Sequence, residues 1–463
     1  MTEDLDPIAA RADAAATEAR LSGDIMSVAA TCPKTALEIG VFFDGTFNNE
    51  INAIKGGTEG SYANARSNVS LLKDYYKNGP DYDVVNEGGT GVCRKFYAQY
   101  VPGIGTMNGG KDSTLGGALG MGETGVEALV ADAALELGRN IDRLSPGIEP
   151  EEIIVDVFGF SRGAAAARYF VNAIRQGWIY RKPLIGFPKF AYVPEGRNFR
   201  IRFVGIFDTV ASIGLGMVEY NYGANIHLKA EQADRIFHLT ADNEYRVNFR
   251  LNDNLPDGGE RQRMPGAHGD VGGGYREQGD TAPLAASKTY NMEIRADATG
   301  LRDMLAETGR TTASEAAPWI AEGWIRPDQS SALQHRLSPV REQKIPGPMG
   351  LPILVYTFNE SRVLHRPWVK LGLSRVAMAA MHRQAIETGV PFLDLPSGGE
   401  YAIPPELQPI GQRIISGEHV TGDSARFVVN NFAHISANPD SIGMSGEEDR
   451  IRVAYPNRAG EAV

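Results

Sequence analysis

The sequence predicts an α/β fold with a largely parallel central sheet flanked by helices and carrying insertions. Three observations support this. Short apolar runs such as "LEIGVFF" and "EEIIVDVF" close on tight turns, as buried strands do. Segments of helical period, "VEALVADAALELGRNIDRL" foremost, alternate with them. One apolar run also passes through Gly-Phe-Ser-Arg-Gly straight into an alanine-rich stretch, which reads as a strand–turn–helix junction at Ser161.

Residues 1–34 read as an acidic, alanine-rich leader, and 35–463 as one domain. "LEIGVFFDG" predicts a buried strand ending at Asp-Gly, and "ANARSNVSLLKDYYKN" is helical by spacing. "KFYAQYVPGIG" predicts a second strand entering a glycine-rich loop over 103–125, before the helix "VEALVADAALELGRNIDRL". The strand "EEIIVDVFGF", a helix from near Arg162 and the strand "FRIRFVGIFDTV" follow. Around 280–350 the chain turns Pro-, Gly- and charge-rich without a sustained period, as expected of an insertion serving as a lid or partner surface. "LSRVAMAAMHRQAIETGV" is a further helix, with Leu373, Val376, Ala380 and Met381 on one core-facing side.

Across 463 residues, 42% hydrophobic and 22% charged side chains suit a soluble globular protein with a substantial core. The net charge of -11 argues against nucleic acid as a partner, since such binders carry a basic face. It equally disfavours purely electrostatic docking on anionic membranes, although "IYRKPLIGFPKF" is locally basic. Cys32 and Cys93 are too few for a disulfide framework or a metal site and read as plain thiols. The N-terminus lacks the basic start and apolar centre of a cleaved secretory signal. No apolar run approaches the roughly 18 residues of a membrane span. Export would therefore take another route.

Ser161 has two readings: a helix cap, or a nucleophile held on a sharp turn. Gly159 and Gly163 supply the G-x-S-x-G pattern of the second, and Ala164 stands where a capping box needs Glu or Gln. A serine nucleophile needs a base and an acid that orients the base. Asp208, near the end of "RFVGIFDTV", is the candidate acid. His268, in the glycine-rich "MPGAHGDVGGGY", and His434, in "NFAHISANPD", are both candidate bases, and Ser–Asp–His order admits either. His382 falls within a helix and reads as structural.

The N–H of Arg162, after the serine, and that of Gly45 or Thr46 in "FFDGTFNN" are the expected oxyanion-hole donors. Asp270 reads as a turn cap rather than a cation ligand. No paired His/Cys spacing suggests zinc, and no cofactor is expected. "GTMNGGKD" has P-loop spacing, but Asp112 stands where Ser or Thr should hold magnesium. "GMGETG" fits G-x-G-x-x-G but has no strand leading into it, so the loop is expected to line the site instead.

Seven blocks, "IGVFFDGTFNN", "YVPGIGT", "GALGMGETGV", "VDVFGFSRGAAAAR", "VGIFDTVASIG", "GAHGDVGGGY" and "NFAHISAN", occur in order over roughly residues 36–455. Together they resemble the α/β-hydrolase domain of type VI secretion phospholipase effectors. That resemblance implies an antibacterial lipase hydrolysing glycerophospholipid acyl esters in a rival's periplasm. It implies a secretion-apparatus spike protein and a cognate immunity protein as partners, and storage in the producer's cytoplasm without a signal peptide. It places the nucleophile on Ser161, the acid on Asp208 and the base on His268. The chain is shorter than many such effectors, leaving little room for a separate C-terminal delivery domain. A soluble carboxylesterase and a non-catalytic interaction module on the same fold are the competing expectations.

Overall fold

The computed structural model describes residues 34–79, 83–87, 90–113, 125–147, 149–181, 189–192, 199–212, 224–276, 278–293, 313–338, 341–346, 352–441 and 443–458. Residues 1–33 of the expected leader and 114–124 of the glycine-rich loop lie outside them.

The first half of the chain alternates strand and helix much as its periodicity predicts. β1 (Lys34–Phe43) leads to α1 (Glu50–Lys55), α2 (Asn68–Lys73), β2 (Asp83–Glu87) and β3 (Thr90–Val101). Then come α3 (Val126–Leu144), β4 (Glu152–Phe160) and α4 (Arg162–Gln176). A small hairpin, β5 (Trp178–Arg181) with β6 (Lys189–Tyr192), precedes β7 (Phe199–Phe207), β8 (Arg235–Ala241), β9 (Leu251–Pro256) and β10 (Glu260–Met264).

The main sheet runs β10-β8-β7-β4-β1-β3-β2, parallel throughout except for the antiparallel edge strand β2. Alternate residues of β1 serve opposite faces, as a period of two requires. Leu37, Ile39, Val41 and Phe43 pack with residues of α3 and α4, while Phe42 faces Val69, Leu71, Phe158 and the later helix Leu373–Glu387. Both faces are therefore covered, which explains why β1 and β4 read as unbroken apolar runs rather than alternating ones. From β1 the chain winds first to β3 and then, on the other side, to β4 and β7. The crevice at the strand C-termini beside β1 and β4 is thus a topological switch point, where open α/β sheets hold their ligands.

The stretch around 280–350, read as an insertion without a sustained period, contains several short elements. After α5 (His268–Gly272) come β11 (Asp280–Pro283), β12 (Lys288–Glu293), α6 (Ala313–Ala321), β13 (Leu333–Leu337) and β14 (Arg341–Pro346). All four strands pair antiparallel with the long β15 (Pro352–Arg366). Each is short and interrupted by turns, so no period is sustained long enough to be read. Leu333 and Leu364 of this sheet share one core with Phe158 and Phe203 of the main sheet.

α7 (Leu373–Glu387) buries Leu373, Val376, Ala380 and Met381 as expected, and His382 Nε2 donates to Leu393 O at 2.9 Å. α8 (Gln408–Ile415), α9 (Gly422–Asn431) and β16 (Ala454–Asn457), parallel to β9, complete the chain. Cys93 on β3 is disulfide-bonded, which corrects the plain-thiol expectation for that residue. Among the described residues, no helix is long and apolar enough to cross a membrane.

Candidate active site

Ser161 sits between β4 and α4 with φ 58° and ψ −126°, a backbone conformation that L-residues rarely adopt. Its two glycine neighbours explain how the turn closes. A Cβ on Gly163 would stand 2.3 Å from Asp44 O and 2.4 Å from Phe43 O. One on Gly159 would stand 2.5 Å from Gly163 O. The elbow is therefore seated directly on the end of β1, with backbone against backbone. Ser161 N–H donates to Phe207 O at 3.1 Å, tying it to the end of β7 as well.

Asp208 follows β7, fully buried and also at positive φ (41°). Its carboxylate receives Nδ1 of His268 at 2.5 Å, the Ala241 N–H at 3.0 Å, and both terminal nitrogens of Arg452 at 2.7 and 3.0 Å. Burial by itself would raise this acid, but Arg452 and His268 outweigh burial and hold it far below the usual carboxylate range. Asp208 is therefore ionised throughout the physiological range.

His268 opens α5 with its ring between Phe160 (centroids 4.6 Å apart) and Phe249 (5.1 Å, edge-on). Burial depresses its pKa and prevails over the hydrogen bond and charge of Asp208, which push the other way. The imidazole is thus neutral near pH 7, the form that accepts a proton at Nε2 when Nδ1–H is held by a carboxylate. Its backbone N–H donates to Glu244 Oε2 at 3.3 Å. Burial opposes ionisation of Glu244, yet Arg246 and Arg452 bring it down to about 2.

Ser161 Oγ and His268 Nε2 make no hydrogen bond to each other or to another described residue, and both residues are buried. Such contacts are often loose before substrate binds. Phe160 links the two residues, since it directly precedes the serine and its ring lies against the imidazole.

The loop after β1 lies across the elbow: a Cβ on Gly45 would come within 2.6 Å of the Phe160 ring. The expected Gly45 donor is engaged, because its N–H donates to Asp44 Oδ1 at 2.7 Å. Thr46 N–H has no acceptor among the described residues, and its Oγ1 is buried without a partner. Arg162 is the first residue of α4, where helix geometry leaves N–H groups outside the intrahelical ladder. Burial raises Asp44 to about 6, against the opposing hydrogen bonds from Ser67, Tyr100 and Gly45.

His434 lies elsewhere. Its Nδ1 faces Asp270 Oδ1 at 2.8 Å, its own N–H donates to Asp270 Oδ2 at 2.8 Å, and its ring stacks on Tyr275. Nε2 of His434 is buried without a partner. Asp270 also accepts the Ala267 N–H at 2.9 Å, which is the turn cap expected of it. No cluster of three potential metal ligands occurs among the described residues.

Sequence reasoning missed Arg452, Glu244 and His238. The last lies on β8, accepts the Thr209 N–H at 3.1 Å, and burial together with Arg168 brings it down to about 3. Arg452 falls in no motif and lies 244 residues from its partner. A single sequence holds no signal for that pairing.

A serine on a strained strand–helix elbow and a buried aspartate–histidine pair are the parts that a serine nucleophile, its base and its orienting acid require. Residues 186–293 match the family model described as "T6SS, Phospholipase effector Tle1-like, catalytic domain". That segment contains Asp208 and His268, while Ser161 lies before it. The chain is also similar in fold to the Tle1 effector solved bound to the VgrG spike of the type 6 secretion system. The match has 21% identity and a TM-score of 0.60, covering 91% of this chain and 94% of that one. An uncharacterized protein from Pseudomonas aeruginosa matches at 17% identity and a TM-score of 0.40, over 88% of this chain and 54% of that one. No curated protein matches. The family found by the family model is the one the seven sequence blocks resemble.

Proposed function

We propose that this chain is an antibacterial type VI secretion phospholipase effector that cleaves acyl esters of membrane glycerophospholipids at Ser161. The observation that carries the reading is the His268–Asp208 pair set against the Ser161 elbow. The match of residues 186–293 to the phospholipase effector family supports it independently.

His268 Nε2 takes the Ser161 hydroxyl proton as Oγ attacks the ester carbonyl, and Asp208 fixes the ring through Nδ1–H. Arg162 and Thr46 N–H groups receive the developing oxyanion, Thr46 replacing the engaged Gly45. Collapse breaks the ester C–O bond, and the proton on His268 passes to the departing alcohol of the lysolipid. Water then gives its proton to His268 and attacks the acyl–Ser161 ester, releasing the fatty acid and restoring the serine.

Residues 35–463 act as one catalytic unit, with 280–350 as its insertion. By analogy with the Tle1 effector solved on its spike, a spike protein carries it from the producer's cytoplasm. The family resemblance of the seven sequence blocks further implies an immunity protein that guards the producer. Expression directed to the bacterial periplasm should arrest growth, while cytoplasmic expression at matched levels should be tolerated. Equal tolerance in both compartments would remove the toxin reading.

A further inference from the structure

Arg452 reaches the site from a segment with no catalytic motif of its own. Three contacts hold that segment in place. Leu251 N–H donates to Val453 O at 3.0 Å, Arg452 Nε donates to Phe249 O at 2.7 Å, and β16 continues parallel to β9. Ile451 and Val453, the neighbours of Arg452, are 66% and 38% exposed, while the Arg452 side chain is 8% exposed. The strand-like alternation thus turns one cation inward between two outward apolar side chains.

Its guanidinium meets both oxygens of the carboxylate that also receives His268 Nδ1. A two-toothed contact of this kind fixes the plane of a carboxylate as well as its charge. Among the described residues, few other ionisable groups face this pair. His238 approaches Asp208 from β8, and Glu244 and Arg246 face His268 from the segment after β8. Arg168 acts on His238 from α4. Arg452 is the cation in direct contact with Asp208.

We propose that Arg452 is a positioning residue for the hydrolysis inferred above: it locks the Asp208 carboxylate toward Nδ1 of His268 and offsets that carboxylate's charge. The inference rests on the serine-hydrolase reading. Two effects follow. Loss of the fork frees Asp208 to rotate, so the imidazole is less well aimed. Loss of the charge leaves Asp208 more able to stabilise a protonated His268, so the base is neutral only at higher pH.

The test is the rate at which the full-length protein is labelled by a fluorophosphonate probe between pH 4 and 9. This readout needs no knowledge of the natural substrate. Arg452→Gln should label about 100-fold more slowly at its optimum, the scale of a small misplacement of a reacting group. Its acidic limb should move up by about one pH unit, as removal of a neighbouring charge predicts. Arg452→Lys should keep the wild-type limb but label more slowly, because charge is retained and the fork is lost. Wild-type rate and limb in Arg452→Gln would overturn the proposal. If that variant does not fold, wild-type labelling by a folded Arg452→Lys would overturn it equally. Undiminished labelling of Ser161→Ala would instead discredit the serine reading on which the inference rests.

Discussion

Asp208→Asn separates the two demands placed on one buried carboxylate. The acid accepts hydrogen bonds from His268 Nδ1, the Ala241 N–H and two Arg452 nitrogens. An amide of the same shape brings one oxygen and one NH2. If the NH2 turns to His268, Nδ1 becomes an acceptor and the proton moves to Nε2, the wrong tautomer for taking the serine proton. If it turns to Arg452, two donors meet in a buried site. The first arrangement costs on the order of 10⁴ in kcat, or about 5 kcal/mol of transition-state stabilisation. Either one leaves the guanidinium without its anion, and breaking a buried pair from one side costs about 3–5 kcal/mol of stability. The variant should therefore lose both activity and folding stability. Fatty-acid release from detergent-dispersed phospholipid and a urea melt at neutral pH measure the two losses. Activity within tenfold of wild type, together with an unchanged melt, would refute the reasoning and leave Asp208 a turn former.

Gly163→Ala should disrupt the elbow, because the new methyl meets the backbone oxygens of Phe43 and Asp44 rather than a movable side chain. We expect about 1–3 kcal/mol of destabilisation and at least a hundredfold loss of turnover, read by melt and assay together. His268→Ala should remove nearly all activity and His434→Ala should keep measurable turnover, because His434 is paired with Asp270 instead; exchanged outcomes would transfer the role of base to His434. Asp44 introduces a pH dependence of stability. Its folded-state pKa of about 6 lies above its unfolded value, so ionising it opposes folding. The penalty, about 3 kcal/mol, is fully present above pH 6 and is relieved as pH falls toward 4. Asp44→Asn should flatten that part of the stability profile, and coincident profiles would contradict the assignment.

Much of the parallel sheet was legible because its strands are covered on both faces and read as continuous apolar runs. The helix over Val126–Leu144 and the strand ending at Phe207 were equally clear. The segment 63–78 read as one helix and forms only Asn68–Lys73 as an α-helix, since polar residues of that stretch serve loop contacts instead; Asn64, for example, donates to Phe47 O. The second sheet was hidden because its order comes from pairing with β15 rather than from local period. At the site, Ser161 was legible through its glycines, whose steric role is local. The choice between His268 and His434 was not, because it is made by which aspartate each ring meets across the fold. The sequence leaves Gly45 and Thr46 open as donors, because only the folded loop brings the Asp44 carboxylate onto the Gly45 N–H. Arg452 depends on a contact spanning 244 residues, which no motif encodes.

The central claim is that Ser161 of this chain hydrolyses phospholipid acyl esters, and fatty-acid release from vesicles of phosphatidylethanolamine and phosphatidylglycerol tests it most directly. Purified wild-type protein should release fatty acid and lysolipid, and Ser161→Ala, folded and equally stable, should release neither, with a loss of up to about 10⁶ in kcat. Equal release by the two proteins, or none by the wild type on any acyl lipid offered, would contradict the account.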